Sequence, residues 1–201
     1  MIEIRPLTGE SWEALAALFR EGGDPRWCWC QYWRLRSKDF GASKVPELRE
    51  RLRAQTVAAY GGDDVTPGLV AFEGDRAVGW VSLGPRDAYA RITHSRVIPK
   101  VDDRPVWSIV CFAVPARARG RGVGRALLDA AIAFASAEGA QALEGYPIDI
   151  EAGEAIHPDA AFTGTLPMFE RAGFVVVANR ASDPSSAHTR VVVRRELRAR
   201  G

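Results

Sequence analysis

Residues 117–128 read Arg-Ala-Arg-Gly-Arg-Gly-Val-Gly-Arg-Ala-Leu-Leu and follow the apolar run from Val106 to Val114. The pattern predicts a buried strand that turns through glycines into a helix. Gly120, Gly122 and Gly124 carry no Cβ, so the backbone can approach a ligand closely and point consecutive N–H groups at it. Those donors fall at a helix start, where the unpaired first-turn amides and the positive end of the helix dipole favour an anion. Arg119, Arg121 and Arg125 add positive charge around it. A P-loop would close with Gly-Lys-Ser/Thr, whereas Gly124 is followed by Arg125 and Ala126, which argues against an ATP site of that kind. A dinucleotide fingerprint would need a glycine at residue 125, which is arginine.

The flanks narrow the choice. Arg119, Gly122 and Gly124 satisfy an Arg/Gln-x-x-Gly-x-Gly/Ala pattern; Val-Cys-Phe-Ala-Val at 110–114 precedes Pro115; and Phe-Glu-Arg-Ala-Gly-Phe occupies 169–174. These segments resemble the pyrophosphate-binding loop, the fourth strand and the closing segment of the GNAT N-acetyltransferase superfamily, and the resemblance covers nearly the whole chain. It implies an α/β fold with a mixed, mostly antiparallel central sheet flanked by helices, and acetyl-coenzyme A as the acyl donor. It also implies that the strand end at Phe112, Ala113 and Val114 is splayed from its neighbour. Its free backbone groups would then pair with the pantetheine arm and stabilise the oxygen of the tetrahedral intermediate. Arg119, Gly120, Arg121, Gly122, Val123, Gly124 and Arg125 would hold the diphosphate, with Thr163 and Phe169 beside the coenzyme. Thr163 and Thr165 also suit the N-cap of a short helix.

Acetyl transfer to an amine requires the acceptor to lose a proton. For a lysine-like amine of pKa about 10.4, neutrality at pH 7 costs about 4 to 5 kcal/mol. The family often uses a carboxylate on the central strands, but the run 106–114 carries none. Glu144 on the next strand is the nearest candidate, its alternative being an exposed strand-end carboxylate. The family often places a tyrosine before the closing Glu-x-x-Gly-Phe to protonate the leaving thiolate; here that residue is Phe169. Tyr146 is the substitute, with a packed strand-end tyrosine as the competing reading. Asp149, Glu151, Glu154 and Asp159 form an acidic loop that would attract a cationic acceptor or simply be solvated. Trp27, Trp29, Tyr32 and Trp33 lie between the first two helices, where they would wall the acceptor side or, for at least two of them, enter the core or a dimer surface. Cys111 lacks a positioned histidine and reads as a small buried residue.

The chain has 201 residues, 47% of them apolar and 26% charged, which suits a single domain spanning 1–201. A net charge of +2 does not demand nucleic acid. The start, Met-Ile-Glu-Ile-Arg-Pro-Leu, shows no secretory signal, and no apolar run approaches the ~18 residues of a membrane span. Three cysteines give no disulfide framework, Cys28-x-Cys30 lacks partners for zinc, and a reduced cytoplasmic setting is the default.

The chain order reads as a strand at 2–5, a helix carrying Trp12, Leu15, Ala16 and Phe19 with Thr8 or Ser11 as N-cap, and a helix over 46–60 stopped by Gly61-Gly62. A hairpin of 68–73 and 76–83 turns at Gly74-Asp75. A polar loop at 85–104 leads to the coenzyme strand. A helix ending near Gly139 presents Val123, Leu127, Leu128, Ile132 and Ala135 to the sheet. Short elements at 140–144, 166–171, 174–178 and 189–197 finish the chain.

The expectation is an acetyl-coenzyme A-dependent N-acetyltransferase acting by direct attack in a ternary complex, on a small-molecule amine or a protein amine, with no membrane and no metal. A homodimer is left open. The rivals are a coenzyme-binding module without turnover and an arginine-rich nucleic-acid-binding domain.

Overall fold

A computed structural model describes residues 1–21, 25–62, 64–150, 161–179 and 189–197. The strands are β1 (Glu3–Pro6), β2 (Gly68–Glu73), β3 (Arg76–Pro85), β4 (Trp107–Ala113), β5 (Ala142–Gly145), β6 (Val175–Asn179) and β7 (Val191–Glu196). They form one seven-stranded sheet in the order β1-β2-β3-β4-β5-β7-β6. The β4–β5 pair is parallel and every other pair is antiparallel, as expected for a mixed sheet.

The helices are α1 (Trp12–Arg20), α2 (Pro25–Cys28), α3 (Ser37–Ala42), α4 (Val45–Tyr60), α5 (Ala90–Thr93), α6 (Val123–Ala137) and α7 (Leu166–Glu170). They divide the core in two. On one face Trp12, Leu15 and Phe19 of α1, with Leu48 and Leu52 of α4, pack on Val70, Trp80 and Val110 of the sheet. On the other, Val123, Leu127, Leu128, Ala131 and Ala135 of α6 cover Val81, Ile109 and Leu143. Ala131, not Ile132, completes the buried stripe, because Ile132 sits at the helix margin and is only partly covered.

The polar loop at 85–104 folds further than its composition suggested. It contains a 3-10 turn at 86–88 and the short helix α5, whose Ile92 joins the core. Neither α2 nor α3 was marked by sequence periodicity, since each is a turn or two long. Ser11 precedes α1 but does not cap it: the Thr8 N–H donates to Ser11 Oγ at 2.9 Å, and that hydroxyl donates back to the Thr8 carbonyl at 3.2 Å.

Candidate coenzyme site

β4 ends at Ala113, a 3-10 turn covers Ala116–Ala118, and the chain enters α6 through Gly120 and Gly122. Those two glycines have φ of 71° and 81°, a region that side chains with a Cβ rarely adopt, and nothing lies within 4 Å of where a Cβ would stand on either. The turn uses its own first amides: Ala118 N–H donates to the Pro115 carbonyl at 2.8 Å and Arg119 N–H to the Ala116 carbonyl at 3.3 Å. The next backbone bond is Ala126 N–H to the Gly122 carbonyl at 3.0 Å. Between them the amides of Gly120, Arg121, Gly122, Val123, Gly124 and Arg125 have no backbone partner among the described residues. This is the arrangement an anion at a helix N-terminus requires.

The loop's positive charge is less free than its composition implied. Arg121 is paired with Glu73, and Arg125 with Asp129 at 2.8 Å. Arg119 donates to the Val114 carbonyl at 3.0 Å and has no carboxylate partner among the described residues. Arg117, which sequence reasoning passed over, is gripped in a two-pronged bond by Glu21 at the end of α1, at 2.8 and 2.7 Å. Arg76 reaches the same carboxylate at 3.2 Å. The Arg117 guanidinium is the main reason the Glu21 carboxyl titrates below its ordinary value.

A cleft of about 840 Å³ opens beside this loop. Phe112, Ala113, Val114, Arg119 and Gly124 line it, as expected, together with Leu18, Phe19, Glu21, Phe162, Thr165 and Met168. The strand separation is present but partly filled. β4 and β5 pair only from Trp107/Leu143 to Ile109/Gly145, and β5 then ends. The segment carrying Phe162 takes its place, and its carbonyl accepts the Phe112 N–H at 2.6 Å. The expected free amide at Phe112 is therefore occupied. The Val114 N–H has no backbone partner among the described residues and remains available.

Phe169 and Thr163, expected beside the coenzyme, are instead fully buried and absent from the cleft wall. Phe169 packs edge-on against Phe112 and Phe174, with ring centroids 6.2 and 4.9 Å away. Only a glycine at 145 leaves room for it, since a Cβ there would stand 2.4 Å from the Phe169 ring. The Thr163 hydroxyl accepts from Arg190.

Glu144 and Tyr146 are brought together, but away from the cleft. They line a second cavity of about 570 Å³ with Arg86, Ile92, Ile98 and Val106. Glu144 is 1% exposed, so the strand-end carboxylate is internal, not solvated. It accepts from Arg194 at 2.7 and 3.2 Å and from the Tyr146 hydroxyl at 3.1 Å, and lies 3.5 Å from Arg86. Tyr146 also shares a 2.9 Å bond with Ser108 and stacks on Trp33. Burial, reinforced by the Glu144 charge, pushes the tyrosine hydroxyl well above its ordinary pKa, so it stays protonated. Ser108 lies four residues before Phe112 on β4, roughly 13 Å at strand rise, which separates this network from the open strand end.

Arg194 extends the network to Asp102, with bonds of 2.5 and 3.1 Å. That guanidinium holds the Asp102 carboxyl at about 2, down from 3.8. A depressed carboxyl pKa favours the folded state above the unfolded value and loses that contribution as pH falls. Wild-type stability is therefore expected to drop between pH 4 and about 2 more steeply than that of Asp102→Asn. Urea midpoints measured across that range check it; parallel curves for the two proteins would contradict the assignment.

Of the aromatic group, Trp29 and Trp33 are core, at 5% and 4% exposure. Trp27 is exposed beneath Arg26. Asp149 is exposed, while Glu151, Glu154 and Asp159 lie outside the described residues. No group of His, Cys, Asp and Glu suited to a metal occurs among the described residues.

The acetyltransferase (GNAT) family model matches residues 12–147, about two thirds of the chain. The chain belongs to the GNAT acetyltransferase family. That family is one of acetyl-coenzyme A-dependent acyltransferases. No curated protein matches it. Solved GNAT structures share the fold at low identity. A PaiA N-acetyltransferase from Thermoplasma acidophilum, in complex with coenzyme A, is 17% identical with a TM-score of 0.54 over 98% of this chain and 99% of that one. An N-acetyltransferase from Staphylococcus aureus Mu50 is 14% identical with a TM-score of 0.56 over 98% and 99%. A histone acetyltransferase HPA2-related protein from Corynebacterium glutamicum is 20% identical with a TM-score of 0.53 over 99% and 98%. No described helix of this GNAT protein is long and apolar enough to cross a membrane.

Proposed function

We propose that this GNAT protein is a cytoplasmic N-acetyltransferase that moves the acetyl group of acetyl-coenzyme A to a primary amine of a small molecule by direct attack in a ternary complex. The observation that carries this reading is the run of unpaired amides from Gly120 to Arg125 at the mouth of the cleft. The diphosphate rests on those amides, with Arg119 as the nearest uncommitted charge. The pantetheine arm follows β4, and the Val114 N–H is the donor left for it or for the carbonyl oxygen of the intermediate. Leu18, Phe19 and Phe162 give the same cleft an apolar side, against which the carbon frame of a small amine would pack.

The amine nitrogen bonds to the thioester carbon, the carbon–sulfur bond breaks, one proton leaves the nitrogen and one is taken by the departing thiolate. The cleft offers little help with either proton. Glu21 is the one carboxylate among its described lining residues, and its pairing with Arg117 and Arg76 makes it a weak base. Water is then the proton acceptor, and the amine must reach the site already neutral. For an acceptor of pKa about 10, kcat/KM is expected to rise about tenfold per pH unit from 7 toward that pKa. A plateau setting in below pH 8 would instead reveal a base in the protein.

A screen of thiol release over a panel of amines tests the proposal. A binding module without turnover is the second reading, favoured by burial of Phe169 and by the distance of Glu144 and Tyr146 from the cleft. Coenzyme binding in calorimetry with no amine raising thiol release above hydrolysis would select it.

A further inference from the structure

Cys30 and Cys111 lie far apart in sequence, yet their Sγ atoms are 3.8 Å apart. Both thiols are buried, at 2% and 4% exposure. Cys30 sits in a tight turn after α2 in which Trp29 and Cys30 have φ of 45° and 53°, left-handed values that non-glycine residues seldom adopt. The turn is fixed by Trp29 N–H on the Pro25 carbonyl at 3.0 Å and Gln31 N–H on the Cys28 carbonyl at 2.8 Å. The Trp80 indole N–H points at Cys30 Sγ from 3.1 Å. Cys28, the last residue of α2 and two before Cys30, is partly exposed, and its thiol acts on that of Cys30. The three sulfurs thus form a path from the surface to β4. It ends one residue before Phe112, which lines the coenzyme cleft.

We propose that Cys30 and Cys111 are an oxidative modification site: a peroxide entering at Cys28 closes a disulfide between them, which weakens coenzyme binding in the adjoining cleft. The Cys28 thiolate attacks hydrogen peroxide, breaking the O–O bond to give a sulfenic acid and hydroxide, which takes up the proton the thiol had lost and becomes the first water. Cys30 then displaces the hydroxyl from the Cys28 sulfur, its thiol proton leaving with it as the second water. Cys111 attacks the Cys30 sulfur, and Cys28 departs and takes up the Cys111 proton. Two thiols are oxidised, one peroxide is reduced to two waters, and Cys28 is regenerated.

Entry at Cys28 follows from the surroundings of Cys30. Cys30, at 2% exposure, is out of reach of peroxide in solution, whereas Cys28 is partly exposed. A covalent S–S separation of about 2 Å requires the two sulfurs to approach. That movement pulls β4 toward the turn at the residue preceding Phe112, whose N–H is bonded to the Phe162 carbonyl.

The full-length protein, reduced and then freed of reductant, is treated with hydrogen peroxide, alkylated, digested without reduction and weighed by mass spectrometry. The expected product has lost two hydrogens and joins the tryptic peptide 27–34 to the one bearing Cys111, with the alkyl group on Cys28. Cys28→Ser is expected to slow closure about tenfold without changing the product, whereas Cys30→Ser and Cys111→Ser form no cross-link. Calorimetry is expected to show acetyl-coenzyme A binding about tenfold more weakly to the oxidised form, restored by dithiothreitol. Added oxygen on Cys28, or a final Cys28–Cys30 bond with Cys111 alkylated, overturns the proposal, and an unchanged affinity in cross-linked protein overturns its effect on the cleft. The affinity readout rests on the coenzyme reading of the cleft; the mass readout does not. Reduced protein that fails to bind acetyl-coenzyme A would therefore count against that reading alone.

Discussion

Gly122→Val is expected to weaken acetyl-coenzyme A binding at least about 100-fold, equivalent to about 2.7 kcal/mol. Gly122 is the residue before α6 and holds φ at 81°. A valine there meets no steric obstruction from neighbours, because the space beside the Cα is open. The cost is entirely conformational: a β-branched residue in this region pays at least about 1–2 kcal/mol and relaxes toward negative φ. Relaxation rotates the peptide planes on both sides, so the N–H groups of Gly122 and Val123 no longer point where those of Gly120 and Gly124 do. Part of the cost appears as lost stability and the larger part as lost affinity, since the ligand must restore the turn to bind. Gly122→Asn separates the two ideas. Asparagine tolerates left-handed backbone, so this variant should bind within about tenfold of wild type. Calorimetry on both decides the matter. If Asn and Val weaken binding equally, the backbone orientation at 122 is not what holds the diphosphate.

The coenzyme loop was legible because its signal is local. Glycines at 120 and 122 are required by the turn itself, and the apolar run before them and the stripe of α6 after them fix a strand and a helix within a few residues. The β2–β3 hairpin was legible for the same reason, through Gly74. What the sequence hid depends on contacts between distant residues. Phe162 fills the gap left where β5 stops, so one amide of the expected open edge is closed by a residue some 50 positions away. Nothing near Glu144 announces that Arg86, Asp102 and Arg194 converge on it and its neighbours from three other parts of the chain. Glu21 and Arg117 meet for the same tertiary reason. Phe169 holds a place in the family motif where a tyrosine often stands, and its buried environment, with a glycine opposite at 145, explains why an apolar ring without a hydroxyl fits there.

Glu144→Gln offers the sharpest test of what the buried network does. Glu144 and Arg194 are 1% and 6% exposed at the side chain and Arg86 is 11%, while Asp102, 35% exposed, pairs with Arg194 from the rim, so two positive and two negative groups form one network. Removing a single charge leaves an uncompensated cation where water cannot solvate it, which costs about 3–5 kcal/mol. In a chain of this size that is expected to lower Tm by roughly 6–20 °C. Because Glu144 does not line the coenzyme cleft, acetyl-coenzyme A affinity and kcat of the folded variant should stay within about threefold of wild type. A proton relay through Glu144 and Tyr146 makes the opposite forecast: kcat falls about 100-fold or more while KM for the coenzyme holds, and the pH profile loses a limb. Thermal unfolding and steady-state rates at a temperature where both proteins are folded distinguish the two. The geometry favours the first outcome, since every oxygen of Glu144 is already committed to Arg194, Arg86 or Tyr146 and the residue does not line the coenzyme cleft.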